Sequence, residues 1–164
     1  MAEFRPVARS PFDRLLGGWE DLSLSPKWRT FADPSPGCDV GQAVTQSDRL
    51  IWSVRPGEWT TLGSCPDGIE IVDLTHALVA LRITSDLVPD VLSRVCALDF
   101  DDRLFPQGAA ARTDVAGVTI EIVRDDADGQ CSYVLAASRS FGRYLHEALA
   151  DAARQVTTER ATTI

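Results

Sequence analysis

Long apolar runs are missing from this chain of 164 residues. No stretch approaches the roughly 18 consecutive apolar residues that a membrane-spanning helix requires. The N-terminal sequence MAEFRP also lacks the positive cluster and the following apolar segment that are typical of a secretion signal. We therefore expect a soluble, cytoplasmic protein without a membrane partner.

Motifs for metal, redox and nucleotide chemistry are missing as well. The four cysteines are too far apart for a CxxC motif, and His76 and His146 have no paired spacing such as HxH or HExxH. The only lysine, Lys27, follows no glycine-rich loop, and neither GxGxxG nor GxSxG occurs. We expect reduced and mostly buried thiols, no metal ion, no nucleotide bound by this chain and no serine nucleophile.

Positive charge is scarce, since 16 basic residues stand against 24 acidic residues and leave a net charge of −8. This balance repels phosphate backbones and argues against a nucleic-acid partner. Apolar residues make up 45% of the chain, as in ordinary globular proteins. Folding a chain of this length removes roughly 70% of its unfolded surface, which suffices for one core without disulfides. We therefore predict a single domain.

The first part of the chain, residues 1–48, is rich in proline and glycine, which predicts an irregular N-terminal arm. Trp19 and Trp28 lie on this arm. A tryptophan on an irregular segment either packs on the core of its own domain or anchors a partner chain. The sequence leaves both alternatives open.

Regular patterns occupy residues 49–154, and a polar, frayed tail is expected at residues 155–164. Alternation and helical spacing predict strands at 50–54, 59–62, 69–74, 77–83, 115–123 and 133–136, and helices at 86–96 and after Ser138 or Ser140. The first two strands form a hairpin around Pro56-Gly57, and the next two form a pair around Thr75-His76. Together these elements predict an α+β fold with a mixed, mostly antiparallel sheet and two or three helices.

Four motifs occur in order along this regular part of the chain. They are RPGEW at 55–59, DLTH at 73–76, CALDFDDRLFPQGAAART at 96–113 and RSFGRYL at 139–145. The third motif resembles the sarcosine oxidase gamma subunit family, which has a similar Cys-x-Leu-Asp, then Arg-x-Phe-Pro-x-Gly, then a threonine that opens a strand. The DLTH segment is similar to a motif that this family shares with the broader glycine-cleavage T-protein group.

The resemblance implies a folate-binding, T-protein-like fold and a place in a heterotetrameric amine oxidoreductase. Such an assembly removes an N-methyl group oxidatively and passes the one-carbon unit to tetrahydrofolate. Its FAD, FMN, NAD and zinc belong to other subunits. The resemblance thus predicts a small noncatalytic subunit that docks on larger alpha and beta subunits. The alternative is a folate-binding or one-carbon-transfer protein that acts alone.

Three strand-associated carboxylates are candidates for a folate site, namely Asp73, Glu121 and Glu58. A pterin ring presents an N–H and an amino group side by side, and one carboxylate can accept both. Two of the three also have ordinary structural interpretations. Glu121 on an alternating strand would face solvent, and Asp73 before Thr75 would bond the backbone of a turn.

Arg103 and Phe105 precede Gly108 in the third motif and resemble positions of the family. An arginine and an aromatic residue on an ordered loop would suit a docking surface for a partner subunit. They would equally suit a lid that ties the loop to its own domain. With Trp19 and Trp28, they are the candidate partner-interface residues.

Overall fold

Two five-stranded antiparallel sheets pack face to face in the computed structural model, which describes residues 18–31, 37–67 and 70–162. One sheet, here called the helix-covered sheet, has the spatial order β1 (Trp19–Asp21), β7 (Leu78–Thr84), β10 (Ser132–Ser138), β9 (Val118–Arg124) and β8 (Ala110–Val115). The second sheet has the order β3 (Gln42–Gln46), β4 (Arg49–Arg55), β5 (Glu58–Leu62), β2 (Lys27–Thr30) and β6 (Ile71–Asp73). The α+β fold class is confirmed, with two antiparallel sheets in place of one mixed sheet.

Two helices cover the outer face of the first sheet. They are α1 (Val88–Ser93) and α2 (Gly142–Thr162), and a 3-10 turn at Arg139–Phe141 precedes α2. Alternate residues of the strands point toward the helices and form the larger core, here called the helix-side core. In it, Leu81, Ile122 and Leu135 of the sheet pack with Leu145 and Leu149 of α2. Within the described residues, no helix has both the length and the apolar character needed to cross a membrane.

A smaller apolar layer joins the two sheets. Leu50, Trp52 and Leu62 of the second sheet pack against Val123 and Val134 of the helix-covered sheet. Trp52 is fully buried there. The same layer also holds charged side chains, because Lys27 and Arg29 lie directly opposite Leu62 and Thr60 in the pairing of β2 with β5 and so share their face. Polar groups of the two sheets therefore meet in the gap between them.

Several predicted elements are present where the sequence places them. The hairpin of β4 and β5 turns at Pro56-Gly57, where Gly57 adopts a positive φ of 73°. Helix α1 falls within the predicted range 86–96, and β10 contains the predicted strand 133–136. In α2, the apolar residues Leu145, Leu149 and Ala152 recur at helical spacing and are buried. Phe141 and Tyr144 extend this spacing but are about half exposed, so the buried face is narrower than the spacing alone predicts.

The predicted strand pair around Thr75-His76 is wrong. Strand β6 pairs with β2 in the second sheet, whereas β7 pairs with β1 and β10 in the helix-covered sheet. The segment between them is thus a crossing from one sheet to the other. Ile69, the first residue of the predicted strand, lies outside the described residues.

The predicted single strand 115–123 is also wrong, because a turn falls inside it. Ala116 and Gly117 have φ values of 50° and 79°, as in the two-residue turns that connect tight hairpins. Strand β8 precedes this turn and β9 follows it. Hydrophobic periodicity missed most of β8 (Ala110–Val115), since only Val115 lies in the predicted strand, whereas the family motif places the start of a strand at Thr113.

The arm and the tail are more regular than predicted. The described part of residues 1–48 contributes β1, β2 and β3, which pair into the two sheets. Helix α2 continues to Thr162, and Val156 is buried against Val91 of α1. The predicted fraying from residue 155 is therefore not observed within the described residues.

Candidate functional site

One side of the gap between the sheets opens as a cavity of about 240 Å³. We call it the arginine cleft and define it by Arg29, Arg55, Arg112, Glu121, Ala136 and Ser138. Arg29 and Arg55 come from the second sheet, and the other four come from the helix-covered sheet. The cleft is thus built by both sheets and brings together residues that are far apart in the sequence.

Glu121 lies in this cleft and faces the second sheet. Strand β9 alternates, so that Ile120 and Ile122 point to the helices while Glu121 and Val123 point into the gap. Its side chain is only 13% exposed. The interpretation of Glu121 as a solvent-facing residue is therefore wrong, because the second sheet covers the face of β9 that the alternation predicts to be exposed to solvent.

Three donors hold the Glu121 carboxylate. Arg29 Nη2 donates to Oε1 at 2.7 Å, Trp52 Nε1 donates to Oε2 at 2.7 Å, and Thr60 Oγ1 donates to Oε2 at 3.0 Å. A nearly buried carboxylate is stable only when a counter-charge and hydrogen bonds replace its hydration. The three partners supply both, and they fix the orientation of Glu121.

Arg29 joins two of the predicted folate carboxylates. Its Nη1 donates to Glu58 Oε2 at 3.1 Å, while its Nη2 holds Glu121. Sequence reasoning missed Arg29, which lies in the arm that was predicted to be irregular. The available signal was the alternation in Lys27-Trp28-Arg29-Thr30, where two cations occupy one face of a short strand.

This network restricts the folate contact that is predicted for Glu121. A pterin ring needs one acceptor position on each oxygen of a carboxylate. Each carboxylate oxygen has two lone pairs, and Oε2 of Glu121 already accepts from Trp52 and Thr60. Glu121 has one position left, on Oε1, and Glu58 is held by Arg29. As arranged, Glu121 cannot accept a bidentate pair of donors without breaking a bond that is present, whereas Glu58 accepts from Arg29 on Oε2 only and keeps an open position on each oxygen.

Asp73 lies away from the cleft, on the edge strand β6. Its Oδ1 accepts a hydrogen bond from the Thr75 backbone N–H at 2.8 Å. Hydrogen bonds from the side chain and the backbone of Thr75 hold the pKa of Asp73 below its ordinary value. The interpretation of Asp73 as a residue that bonds the backbone of a turn is confirmed.

The two tryptophans of the arm contact their own chain. Trp19 meets the His146 ring edge to face, at 5.6 Å between ring centroids, and it packs against the helix-side core. Trp28 Nε1 donates to the Gly63 carbonyl at 3.0 Å. These contacts favour the self-packing alternative.

Phe105 is 4% exposed and lies in the helix-side core, beside Phe100 and Tyr133. The buried Arg124 donates from Nη1 to the Phe105 carbonyl at 2.9 Å and so ties the loop down. This burial keeps the ring away from any docking surface. The outward-facing side chains of the loop include Arg103, paired with Asp101 at 2.9 Å, and Leu104, which is 67% exposed.

Lys27 is fully buried in the layer between the sheets. Its Nζ donates to the carbonyls of Leu22 and Ser23 at 3.0 Å and of Ser25 at 2.7 Å. Burial, aided by the charge of Arg139, lowers the pKa of Lys27 to about 8. The sole lysine therefore anchors the loop between β1 and β2, and its amine is not presented to a substrate.

Metal-ligating side chains do not converge in the described ranges, where no group of three or more His, Cys, Asp or Glu residues could hold an ion. The four cysteines are free thiols. Cys38 and Cys96 are buried, and Cys65 is exposed. Two of the four thiols are thus part of the packed interior.

Comparison with known proteins identifies the fold. No known family model matches the chain, and no curated protein matches its sequence. In structure it is similar to a chain of the heterotetrameric sarcosine oxidase from Corynebacterium sp. U-96, solved in complex with pyrrole 2-carboxylate. The TM-score is 0.74 at 17% sequence identity, and the alignment covers 91% of this chain and 96% of that chain. The two chains are therefore of similar length and share one fold from end to end.

Proposed function

We propose that this protein is a small noncatalytic subunit of a heteromeric amine oxidoreductase related to sarcosine oxidase. The observation that carries the proposal is the end-to-end match with one chain of a heterotetrameric enzyme. The ordered motifs at 55–59, 73–76, 96–113 and 139–145 support the same assignment from the sequence.

The proposal assigns the redox chemistry to larger partner subunits of the alpha and beta type. FAD, FMN and NAD would belong to those subunits, which remove an N-methyl group and pass the one-carbon unit to tetrahydrofolate. This chain would contribute shape and a docking surface. The engagement of Glu121 by Arg29, Trp52 and Thr60 favours this division of roles, because that carboxylate cannot accept the paired donors of a pterin ring without losing a bond.

The exposed apolar side chains offer a surface for such docking. Leu104 and Val40 are 67% and 51% exposed. Leu104 lines an open groove of about 400 Å³ together with Gly41–Ala43 and the segment after Pro106. Exposed apolar side chains beside a groove are suited to burial against another chain. We propose that this groove, rather than Phe105, carries the contact predicted for the loop.

Coexpression with alpha and beta subunits of a sarcosine oxidase-like enzyme tests the proposal. We expect sarcosine oxidation and tetrahydrofolate-dependent one-carbon transfer from the assembled set, and no turnover from this chain alone. The Leu104→Asp variant should weaken assembly, and the Leu24→Asp variant is the matched control, since Leu24 is also exposed but does not line the groove. Turnover or tetrahydrofolate binding by the isolated chain, abolished in the Glu121→Gln variant, would instead support the stand-alone alternative.

A further inference from the structure

We propose that the arginine cleft is a binding site for a small organic carboxylate, held between Arg55 and Arg112. The inference goes beyond the proposed function and does not depend on assembly with partner subunits. It rests on the charge of the cleft, the placement of its arginines and the character of its floor.

The charge of the cleft is opposite in sign to that of the chain. The protein carries a net charge of −8, yet three arginines meet only two carboxylates here, Glu58 and Glu121. Most arginines elsewhere in the described residues have close acidic partners, for example Arg82 with Asp125 at 2.8 Å. The cleft therefore has an excess of one positive charge, in a protein that otherwise repels anions.

The excess positive charge belongs to Arg55 and Arg112, the two arginines at the mouth of the cleft. Arg29 is shared by Glu58 and Glu121 at 3.1 and 2.7 Å. Arg55 has only a distant pairing with Glu58, at 3.8 Å, and its side chain is 45% exposed. For the Arg112 guanidinium, no hydrogen bond or ion pair is present among the described residues. Two guanidinium groups at the mouth are thus available to a ligand.

Glu121 does not neutralise Arg112, although the two are direct neighbours. They are opposite each other in the pairing of β8 with β9, so their side chains leave the sheet on the same face. The Glu121 oxygens are nevertheless directed to Arg29, Trp52 and Thr60 of the second sheet. Because the second sheet engages this carboxylate, Arg112 is left with its charge unmatched.

The size and floor of the cleft define the class of ligand. A volume of about 240 Å³ corresponds to roughly eight water molecules in the liquid, which is small for a nucleotide. The floor includes Leu78 and Ala136, apolar residues on the side of the helix-covered sheet that faces the gap. Arginine forks match the two oxygens of a carboxylate. The site therefore fits a short carbon chain or small ring that bears one carboxylate, rather than an inorganic anion.

A backbone-amide NMR titration of the full chain tests the inference, with butyrate as the probe and butyramide as its neutral isostere. We expect saturable shifts at the amides of Arg112 and Glu121 with butyrate, and none with butyramide. Arg112→Gln should weaken butyrate binding about tenfold or more, because a charged hydrogen bond is lost. The matched control is Arg103→Gln, since Arg103 is exposed outside the cleft, and it should bind butyrate as the wild type does.

Equal shifts with butyrate and butyramide, or unchanged affinity in Arg112→Gln, would overturn the inference. Tighter binding of inorganic phosphate than of butyrate would also overturn it, since the apolar floor would then be irrelevant. If Arg112→Gln does not fold, Arg55→Gln at the exposed mouth provides the same test. None of these results bears on assembly, so failure here is distinguishable from failure of the proposed function.

Discussion

The core on the helix side and the layer between the sheets are built on different principles. Among the described residues, seventeen buried apolar side chains form the helix-side core, whereas seven form the centre of the layer between the sheets. The smaller layer is bordered by charge, with Arg29, Glu58 and Glu121 on one side and Arg82 with Asp125 on another. The helix-side core thus stabilises the fold mainly by apolar burial, whereas the layer between the sheets combines apolar packing with ion pairs.

The largest effect is expected from truncating the helix-side core. Leu135→Ala, at a residue that is 1% exposed, should lower the free energy of unfolding by about 3–5 kcal/mol. Leu50→Ala in the layer between the sheets should cost less, about 2–3 kcal/mol, because Leu50 borders an open cavity of about 360 Å³ that water can enter. Urea unfolding measures both. An equal or larger loss for Leu50→Ala would remove the distinction between the two layers.

A smaller effect is expected from neutralising the charge network. Glu121→Gln keeps the shape of the side chain, but it removes the charge that Arg29 needs and turns an amide N–H₂ toward existing donors. We expect a loss of about 1–3 kcal/mol in the free energy of unfolding. Glu147→Gln removes an exposed partner of Arg143 and should change stability by less than about 0.5 kcal/mol. Similar losses for the two variants would show that the network contributes no more than a surface pair.

A third effect is a dependence of stability on pH that originates at Lys27. Burial lowers the pKa of Lys27 from 10.5 to about 8 in the folded chain. Between these values the unfolded chain binds the proton and the folded chain does not, so the free energy of unfolding should rise with pH. The rise should be absent from Lys27→Met when both proteins are unfolded in urea from about pH 8 to about pH 10. An identical pH profile for the two proteins would contradict the lowered pKa.

The elements that the sequence predicts correctly are those whose signals are local. The β4–β5 hairpin has its turn residues at Pro56-Gly57, and α1 has its apolar residues at helical spacing. Strand β8 lacks such a signal because alanine and polar residues make up most of Ala110–Val115. The crossing between β6 and β7 resembles a tight turn in sequence, and only the distant partner β2 shows that it is not one.

The candidate site was predictable only in part for the same reason. Glu58 and Glu121 were identified as single residues, but their connection passes through Arg29, which is 29 and 92 residues away from them. A local sequence pattern cannot reveal a contact between residues that are so far apart along the chain. The solvent-facing interpretation of Glu121 failed because alternation along β9 distinguishes two faces and does not say what covers either one.

The central claim, that this chain acts as a companion to larger subunits, is tested most directly by the mass of the coexpressed assembly in solution. Light scattering on the material eluting with flavin absorbance should give one stoichiometric complex that contains this chain and the larger subunits. The complex should carry the sarcosine oxidase activity. Elution of this chain alone, as a monomer, while the activity remains with the other subunits would contradict the account.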